Sequence, residues 1–424
     1  MARICLVCPT MWDEAEVPAA ARRGGFTVRT YGTDVSEDPA SFDAPSFIEA
    51  AAATIRAEGC EGVMASDDYP GSIVAAALAQ ELGMPGPSPE AVLLCQHKYY
   101  SRLAQRECVP EAVPGFTLID PRDPTAATAL RFPVFVKPVK SFFSLYAREV
   151  ADADALRSLA ASARDHLSGF VRPLDQLLAR YTDFERGGGY LIAEGCLRGA
   201  QATVEGCVFR GETRIIGVVD SIMYPGTISF ARFEYPSALP EEVQQRMGDI
   251  AARFARHIGF DDGLFNAEMM YDAAADAVHI IEVNPRMCPQ FADLMEKVNG
   301  VNTYEAALSI AAGRRPVLKR PAPFGAAASV VARVFDDRLV KRVPRAAELQ
   351  RVAEAFPDAR VKVLCREGHR LSEELQDGNS FRYAVVNLGG EDRRHIATRH
   401  AQVMRELSFD LEPAMVNARA ESQS

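Results

Sequence analysis

The sequence has no long apolar run and no excess of basic residues. Its longest apolar stretches, around Ile73–Ala79 and Phe324–Ala332, are far shorter than the roughly 20 residues that a helix needs to span a bilayer. The formal net charge of −10 leaves no general basic surface for a nucleic-acid backbone or an anionic membrane. We therefore expect a soluble protein that binds neither nucleic acids nor membranes.

Disulfide and zinc frameworks are also missing. The nine cysteines are an odd number without framework spacing, which indicates a reducing compartment. Cys5 and Cys8 form one C-x-x-C pair, but no second pair exists and both lie in a predicted buried strand. The seven histidines form no cluster, and the apolar run at the N-terminus is too short for a secretory signal. We expect a cytoplasmic protein without zinc.

The 424 residues do contain a regular alternation of strand-like and helix-like segments near the N-terminus. This βαβαβα order favours a parallel sheet with helices on its faces. No G-x-G-x-x-G follows the first strand, so we expect a supporting or substrate-side domain, which is also a candidate homodimer interface. Pro-rich stretches at 83–89 and 315–323 mark boundaries. They predict an N-terminal α/β domain (1–90), a central domain (91–316) and a C-terminal α+β domain (317–424).

The strongest chemical signal lies in two successive predicted strands of the central domain. If they pair as a hairpin, Glu268 and Glu282 lie opposite each other, and Asn284 shares the face of Glu282. Two carboxylates and an amide oxygen suit Mg²⁺ held together with nucleotide phosphates. Arg286 adds a cation where phosphate charge would develop. The alternative is an edge hairpin whose acidic side chains are solvated.

Two lysines and one pair of strands add weaker signals. Lys137 ends an apolar strand, where burial requires an anionic partner such as a phosphate or a nearby carboxylate. Lys98 lies in a predicted helix, where it either contacts an anion in the same way or is simply a solvated helix residue. The segment Leu191–Glu205 consists of two strands joined by a linker with two glycines. It can clamp a flat base or simply connect two strands.

Together these residues resemble the ATP-grasp superfamily, at the end that contains carboxylate–amine ligases such as L-amino acid ligases and D-alanine–D-alanine ligase. The resemblance covers roughly Ser88–Pro316, and Glu282–Arg286 (Glu-x-Asn-Pro-Arg) is its most specific part. It implies a mixed α/β and α+β architecture: an N-terminal Rossmann-like parallel-sheet domain, a central ATP-grasp domain of two subdomains with a mobile lid around 132–205, and a small C-terminal α+β domain.

The resemblance also implies a role for each matching position. Lys98 and Lys137 match the lysines that contact the ATP phosphates. The remaining matches are Glu194 and Leu197 beside adenine, Gln201 at the ribose in place of the usual Glu, Glu268, Glu282 and Asn284 as ligands of Mg²⁺ or Mn²⁺, and Arg286 with Lys137 in catalysis at the transferred phosphoryl group.

This chain departs from the family pattern at two places. Ser141 and Ser144 stand where the family often has a glycine-rich phosphate loop. We expect them to donate to phosphate, and the alternative is that this segment is an amphipathic strand. Met287–Gln290 replaces the glycines that commonly follow Asn-Pro-Arg, so the substrate does not follow by analogy. Glu205 and Arg232 are candidate substrate contacts. The aromatic-rich segment around Arg232 is interpreted either as a substrate loop or as a surface loop with packed aromatics.

The resemblance predicts an ATP-dependent ligase that joins a small carboxylate to a small amine through an acyl phosphate and releases ADP and phosphate. Amino acids are the expected substrates. One alternative keeps the nucleotide site but carboxylates an amine or biotin with bicarbonate, as in biotin carboxylase and purine-biosynthetic relatives. Another is a catalytically inactive nucleotide-binding module, which Gln201 and the missing glycines allow.

Overall fold

A computed structural model describes residues 1–33, 35, 39–123, 130–141, 146–374, 376 and 380–413. The chain forms two compact units. The first comprises Met1–Asp220 and Tyr235–Ala322, and the second comprises Ser221–Glu234 and Pro323–Ser424. Within the described residues, no helix is long and apolar enough to cross a membrane.

The N-terminal part of the first unit is the predicted βαβαβα segment. Its sheet has the order β2-β1-β3 and is parallel throughout, which confirms the prediction. Because the carboxyl ends of parallel strands meet at one edge, the segments after β1 and β3 come together: the hydroxyls of Thr10 and Ser66 are 3.3 Å apart. The elements are β1 (Ala2–Val7), α1 (Asp13–Gly24), β2 (Phe26–Tyr31), α2 (Ala44–Ala57), β3 (Gly62–Met64) and α3 (Gly71–Leu82).

Next comes a four-stranded antiparallel sheet with the order β4-β7-β5-β6. Its apolar face packs on helix α6, whose first turn is capped by Asp152 through a bond from the Ala155 N–H (2.8 Å). The elements are α4 (Pro89–Gln96), α5 (Lys98–Cys108), β4 (Phe116–Ile119), β5 (Val134–Pro138), β6 (Arg148–Val150), α6 (Ala153–Phe170), α7 (Arg172–Tyr181) and β7 (Leu191–Gly195).

The following segment gives the first unit a third group of paired strands, with the order β12-β11-β8-β9, and helix α8 buries its apolar side in the core of this unit. Residues 230–235, interpreted above as part of a loop, form strand β10, which lies almost entirely in the second unit. The elements are β8 (Ala200–Phe209), β9 (Glu212–Met223), β10 (Phe230–Tyr235), α8 (Glu241–His257), β11 (Gly263–Asp272), β12 (Ala277–Asn284), α9 (Ala292–Asn299) and α10 (Thr303–Ala311).

The second unit is a small α+β structure, as predicted for the C-terminal part of the chain. Strands β10, β13, β16 and β15 lie side by side in that order, β14 pairs with β17, and α11 and α12 contribute to the apolar core. The elements are β13 (Ala326–Val334), β14 (Arg338–Arg342), α11 (Ala346–Ala355), β15 (Arg360–Val363), β16 (Phe381–Gly390), α12 (Arg393–Glu406) and β17 (Asp410–Pro413).

Candidate active site

The hairpin β11–β12 brings the predicted metal ligands together. The strands are antiparallel, and their register pairs Glu268 with Glu282 and Asn266 with Asn284, which confirms the predicted pairing. The Asn284 amide donates to Asn266 Oδ1 (3.3 Å) and to Glu268 Oε1 (3.5 Å). Two carboxylates and one amide therefore share one end of the hairpin.

The two carboxylates of this hairpin titrate in opposite directions. Burial raises the pKa of Glu268, and the negative charge of Glu282 raises it further. Burial also opposes ionisation of Glu282, but the ammonium groups of Lys98 and Lys137 outweigh it and hold the pKa of Glu282 below its usual range. The hairpin thus carries one carboxylate stabilised by cations and one for which nearby cations do not outweigh burial and the facing negative charge.

These donors fit a magnesium ion that also binds phosphate. Among the residues that the structure describes, no three His, Cys, Asp or Glu side chains converge into a complete metal cage. Mg²⁺, however, commonly binds one or two carboxylates and completes its shell with phosphate oxygens and water. Glu268 and Glu282 offer such a pair, Asn284 adds an amide, and the raised pKa of Glu268 is what a nearby cation would correct.

Lys98 is the first residue of α5, where the helix dipole disfavours a cation. The position is compensated because Lys98 Nζ lies 3.0 Å from Glu282 Oε2. The backbone N–H of Lys98 also bonds the carbonyl of Val139 (2.9 Å), which joins this helix start to the end of the β5 segment. A helix N-terminus and an ammonium group on one side of an acidic hairpin can bind the anionic end of a nucleotide.

Glu194, predicted beside adenine, is held by two cations. Arg102 Nε lies 2.6 Å from one carboxylate oxygen of Glu194 and Lys137 Nζ lies 2.9 Å from the other, and all three side chains are at most 7% exposed. Arg102 and Lys137 also donate to the carbonyl of Ile281, at 2.9 and 3.2 Å. Burial raises the pKa of Glu194, but the two cations outweigh it and lower the pKa to about 2. Strands β5, β7 and β12 thus meet at helix α5.

A third group of charges connects the N-terminal sheet to Arg286. Asp68, in the segment after β3, lies 2.8 Å from Lys140 Nζ through one carboxylate oxygen and 3.2 Å from Arg286 Nε through the other. Gln96 accepts a hydrogen bond from Lys140 and donates to the carbonyl of Asp68 (3.0 Å). Arg286 is therefore fixed by a residue from the N-terminal α/β segment.

The predicted nucleotide contacts have different surroundings. Gln201 donates to Glu268 Oε2 (3.1 Å), which places its amide at the acidic pair. Leu197 is half-buried in the connection between β7 and β8, and Ser141 is half-buried shortly after β5. Ser144 lies outside the described residues.

The two predicted substrate contacts belong to different units. Glu205, on β8, is fully buried; it accepts a bond from the Asn266 amide and two from the Cys288 N–H (3.3 and 3.4 Å), and burial raises its pKa to about 8. It is thus linked through Asn266 to Asn284. Arg232 lies in the second unit and pairs with Glu234 (2.7 Å).

Asp68, Arg102 and Lys140 were not identified as site residues from the sequence, although the position of each in the sequence carries a signal. Asp68 follows a strand of a parallel sheet, at the edge where ligands bind in open α/β folds. Arg102 is four residues from Lys98 and so lies on the same face of α5. Lys140 follows Lys137 by three residues and is just as deeply buried, a position in which a lysine needs an acidic partner.

The sequence and the fold are both similar to those of known enzymes. Residues 130–295 match the ATP-grasp domain family. Carnosine synthase 1 of Homo sapiens is 28% identical over 253 residues, which cover 58% of this chain and 30% of that protein. The chain therefore spans less than a third of the length of the curated relatives that it matches.

Two solved structures show the extent of the structural likeness. An L-amino acid ligase from Bacillus licheniformis superposes with a TM-score of 0.72 at 16% identity, over 97% of this chain and 98% of that one. A biotin carboxylase from Campylobacter jejuni gives a TM-score of 0.65 at 15% identity, over 96% and 92%. At these identities the likeness shows the fold, and it confirms the predicted ATP-grasp architecture.

Proposed function

We propose that this chain, which carries an ATP-grasp domain over residues 130–295, is an ATP-dependent carboxylate–amine ligase. A carboxylate oxygen of the acid substrate attacks the γ-phosphorus of ATP, and the bond from that phosphorus to the ADP oxygen breaks. The nitrogen of the amine substrate then attacks the acyl carbon, phosphate leaves, and the nitrogen loses a proton. The products are an amide, ADP and phosphate.

The observation that carries this proposal is the register of Glu268 against Glu282 on a hairpin approached by Lys98 at 3.0 Å. A pair of carboxylates with an amide beside it suits Mg²⁺, and the adjoining lysines suit the phosphates that share the ion. Bound Mg²⁺ would be held by Glu268, Glu282 and Asn284, and it would neutralise charge on the transferred phosphoryl group.

The other residues have roles that follow from their positions. Lys98 and Lys137 would hold phosphate oxygens, and Arg102 would keep Glu194 ionised and in place when Lys137 turns to the nucleotide. Arg286 would stabilise charge on the phosphoryl group during transfer. Glu205 would support the Cys288 segment at the substrate side, since it accepts two bonds from that backbone N–H.

The class of substrate is proposed from two sources. The chain is similar to a carnosine synthase and its fold is similar to that of an L-amino acid ligase, and both names denote enzymes that act on amino acids or make a peptide-like product. We therefore propose amino acids as the acid, the amine or both. The proposal does not extend to which amino acids these are, because this chain departs from the family pattern at Gln201, at the serines in place of glycines and at Met287–Gln290.

Phosphate release tests the proposal. Purified protein is assayed with Mg²⁺ and ATP across a grid of amino acids and small carboxylates taken in pairs, with bicarbonate plus single amines in a separate arm. Release that requires both an acid and an amine is the expected result. Release with bicarbonate and one amine would replace the ligase by a carboxylase, which the likeness to biotin carboxylase makes the second candidate. Binding of ATP without release in either arm would contradict both.

A further inference from the structure

Asp68 lies outside the ATP-grasp segment, yet it contacts the residue proposed to act on the transferred phosphoryl group. It follows β3 at the carboxyl edge of the parallel sheet. Its two carboxylate oxygens bind two different cations: Oδ2 lies 2.8 Å from Lys140 Nζ and Oδ1 lies 3.2 Å from Arg286 Nε. The side chains of Asp68 and Arg286 are 23% and 18% exposed, so this pair borders on solvent.

Asp68 is itself held by Lys140 and Gln96, which are both more deeply buried than Asp68. The Lys140 side chain is only 3% exposed, and its ammonium group lies 4.8 Å from the centre of the Tyr69 ring. Gln96 accepts from Lys140 and donates to the Asp68 carbonyl (3.0 Å) and to Oδ1 (3.3 Å). Lys140 is therefore more deeply buried than Asp68, and the buried Lys140 holds the more exposed Asp68 in place.

The ion pair with Asp68 restricts where the guanidinium group of Arg286 can lie. A guanidinium group binds an anion through two neighbouring N–H groups. Asp68 contacts the guanidinium group of Arg286 at Nε, and Nη1 donates one long hydrogen bond to the carbonyl of Met287 (3.4 Å). These two contacts, one with Asp68 and one with the Met287 carbonyl, hold the guanidinium group in place.

We propose that Asp68 is a positioning residue for Arg286, with Lys140 and Gln96 holding Asp68 in turn. The inference rests on the proposed role of Arg286 at the transferred phosphoryl group. It gives the N-terminal α/β segment a part in phosphoryl transfer: this segment orients the guanidinium group. A shift of about 1 Å in such a group lowers the rate by roughly a hundredfold, so a fixed orientation matters.

The test measures binding, so that it does not depend on which substrates the enzyme joins. Calorimetry gives the affinity of the full chain for ADP with Mg²⁺, and for ADP with Mg²⁺ and aluminium fluoride, which mimics the transferred phosphoryl group. Asp68→Asn, Arg286→Gln and the double variant complete a cycle. We expect Asp68→Asn to weaken binding of the mimic by about tenfold to a hundredfold and to change ADP binding less than about twofold.

The double variant separates positioning from a general structural effect. If Asp68 acts through Arg286, Asp68→Asn adds no loss when Arg286 is already Gln, and Asp68→Glu restores part of the affinity. Equal losses for ADP and the mimic, or additive losses in the double variant, would overturn the inference. Asp276→Asn is the matched control, because it makes the same change at an exposed carboxylate paired with Arg246 (2.6 Å). Failure of the ligase would show instead in the phosphate-release grid.

Discussion

Glu194 is buried and Glu268 is half-buried, and the same lysine, Lys137, acts on both, yet their pKa values move in opposite directions. Glu194 is bonded to Arg102 and Lys137, and its charge is more than compensated. Glu268 faces Glu282, and its closest side-chain donors in the described structure are the neutral amides of Gln201 and Asn284. The charge of Glu194 is compensated by cations of the fold, whereas that of Glu268 is not, as expected for a proposed ligand of Mg²⁺.

This difference separates residues that hold the chain together from residues that hold a ligand. A buried acid whose cations come from the fold is a structural connection, and removing one partner destabilises the protein. Two acids placed opposite each other repel and destabilise the fold slightly, and a cation bound between them would remove that repulsion. The comparison therefore predicts that variants of Glu194 and of the hairpin will fail in different assays.

The largest effect is expected from Glu282→Gln. This change removes one of the three proposed Mg²⁺ ligands and the partner of Lys98, so ADP formation should fall by about a thousandfold or more. The melting temperature should stay near that of the wild type, because the change also relieves repulsion with Glu268. Phosphate release and a thermal melt are measured on the same preparation. Unchanged turnover would remove Glu282 from the metal site.

A smaller effect, on stability, is expected from Arg102→Met. It leaves Glu194 with one cation and takes a donor from the carbonyl of Ile281, so the free energy of unfolding should fall by about 3–5 kcal/mol. Urea unfolding measures the loss. Arg157→Met is the control, since Arg157 forms an exposed ion pair with Asp154 and its removal should leave stability unchanged. Equal stability of both variants would contradict the structural role of Arg102.

The hairpin could be predicted from the sequence because its geometry is local. Glu268 and Glu282 are separated by a short turn, and the two-residue period of strands sets which side chains face each other. The alternation of strands and helices in the N-terminal part could also be predicted, because each segment is short and bounded by turn residues.

The charge network could not be predicted in the same way. Asp68 and Lys140 are 72 residues apart, and Arg102 and Glu194 are 92 apart, so neither pairing leaves a periodic signal. Each depends on how separate sheets pack against helix α5 and the N-terminal segment. A lone buried lysine indicates that an acid is near, but not which acid.

The smallest effect concerns Mg²⁺ itself. With ADP present and Mg²⁺ at about ten times its dissociation constant, the free energy of unfolding should rise by about 1.4 kcal/mol. The gain should be larger at pH 8 than at pH 6: the pKa of Glu268 is raised, so at lower pH the ion must displace a proton, and at higher pH it meets an ionised carboxylate.

Glu268→Gln sharpens this last test because Gln cannot ionise. Without Mg²⁺, the wild type should lose stability relative to Glu268→Gln as pH rises through the raised pKa of Glu268, since the folded state then carries two facing charges. With Mg²⁺, the wild type should recover that difference, and the variant, which keeps Glu282 and Asn284, should gain less stability than the wild type. Thermal melts of both proteins at pH 6 and pH 8, with and without Mg²⁺, measure how the stability of each depends on pH and on the ion. An equal gain in the variant would mean that the ion binds elsewhere, and the contrast between Glu194 and Glu268 would then reflect packing alone.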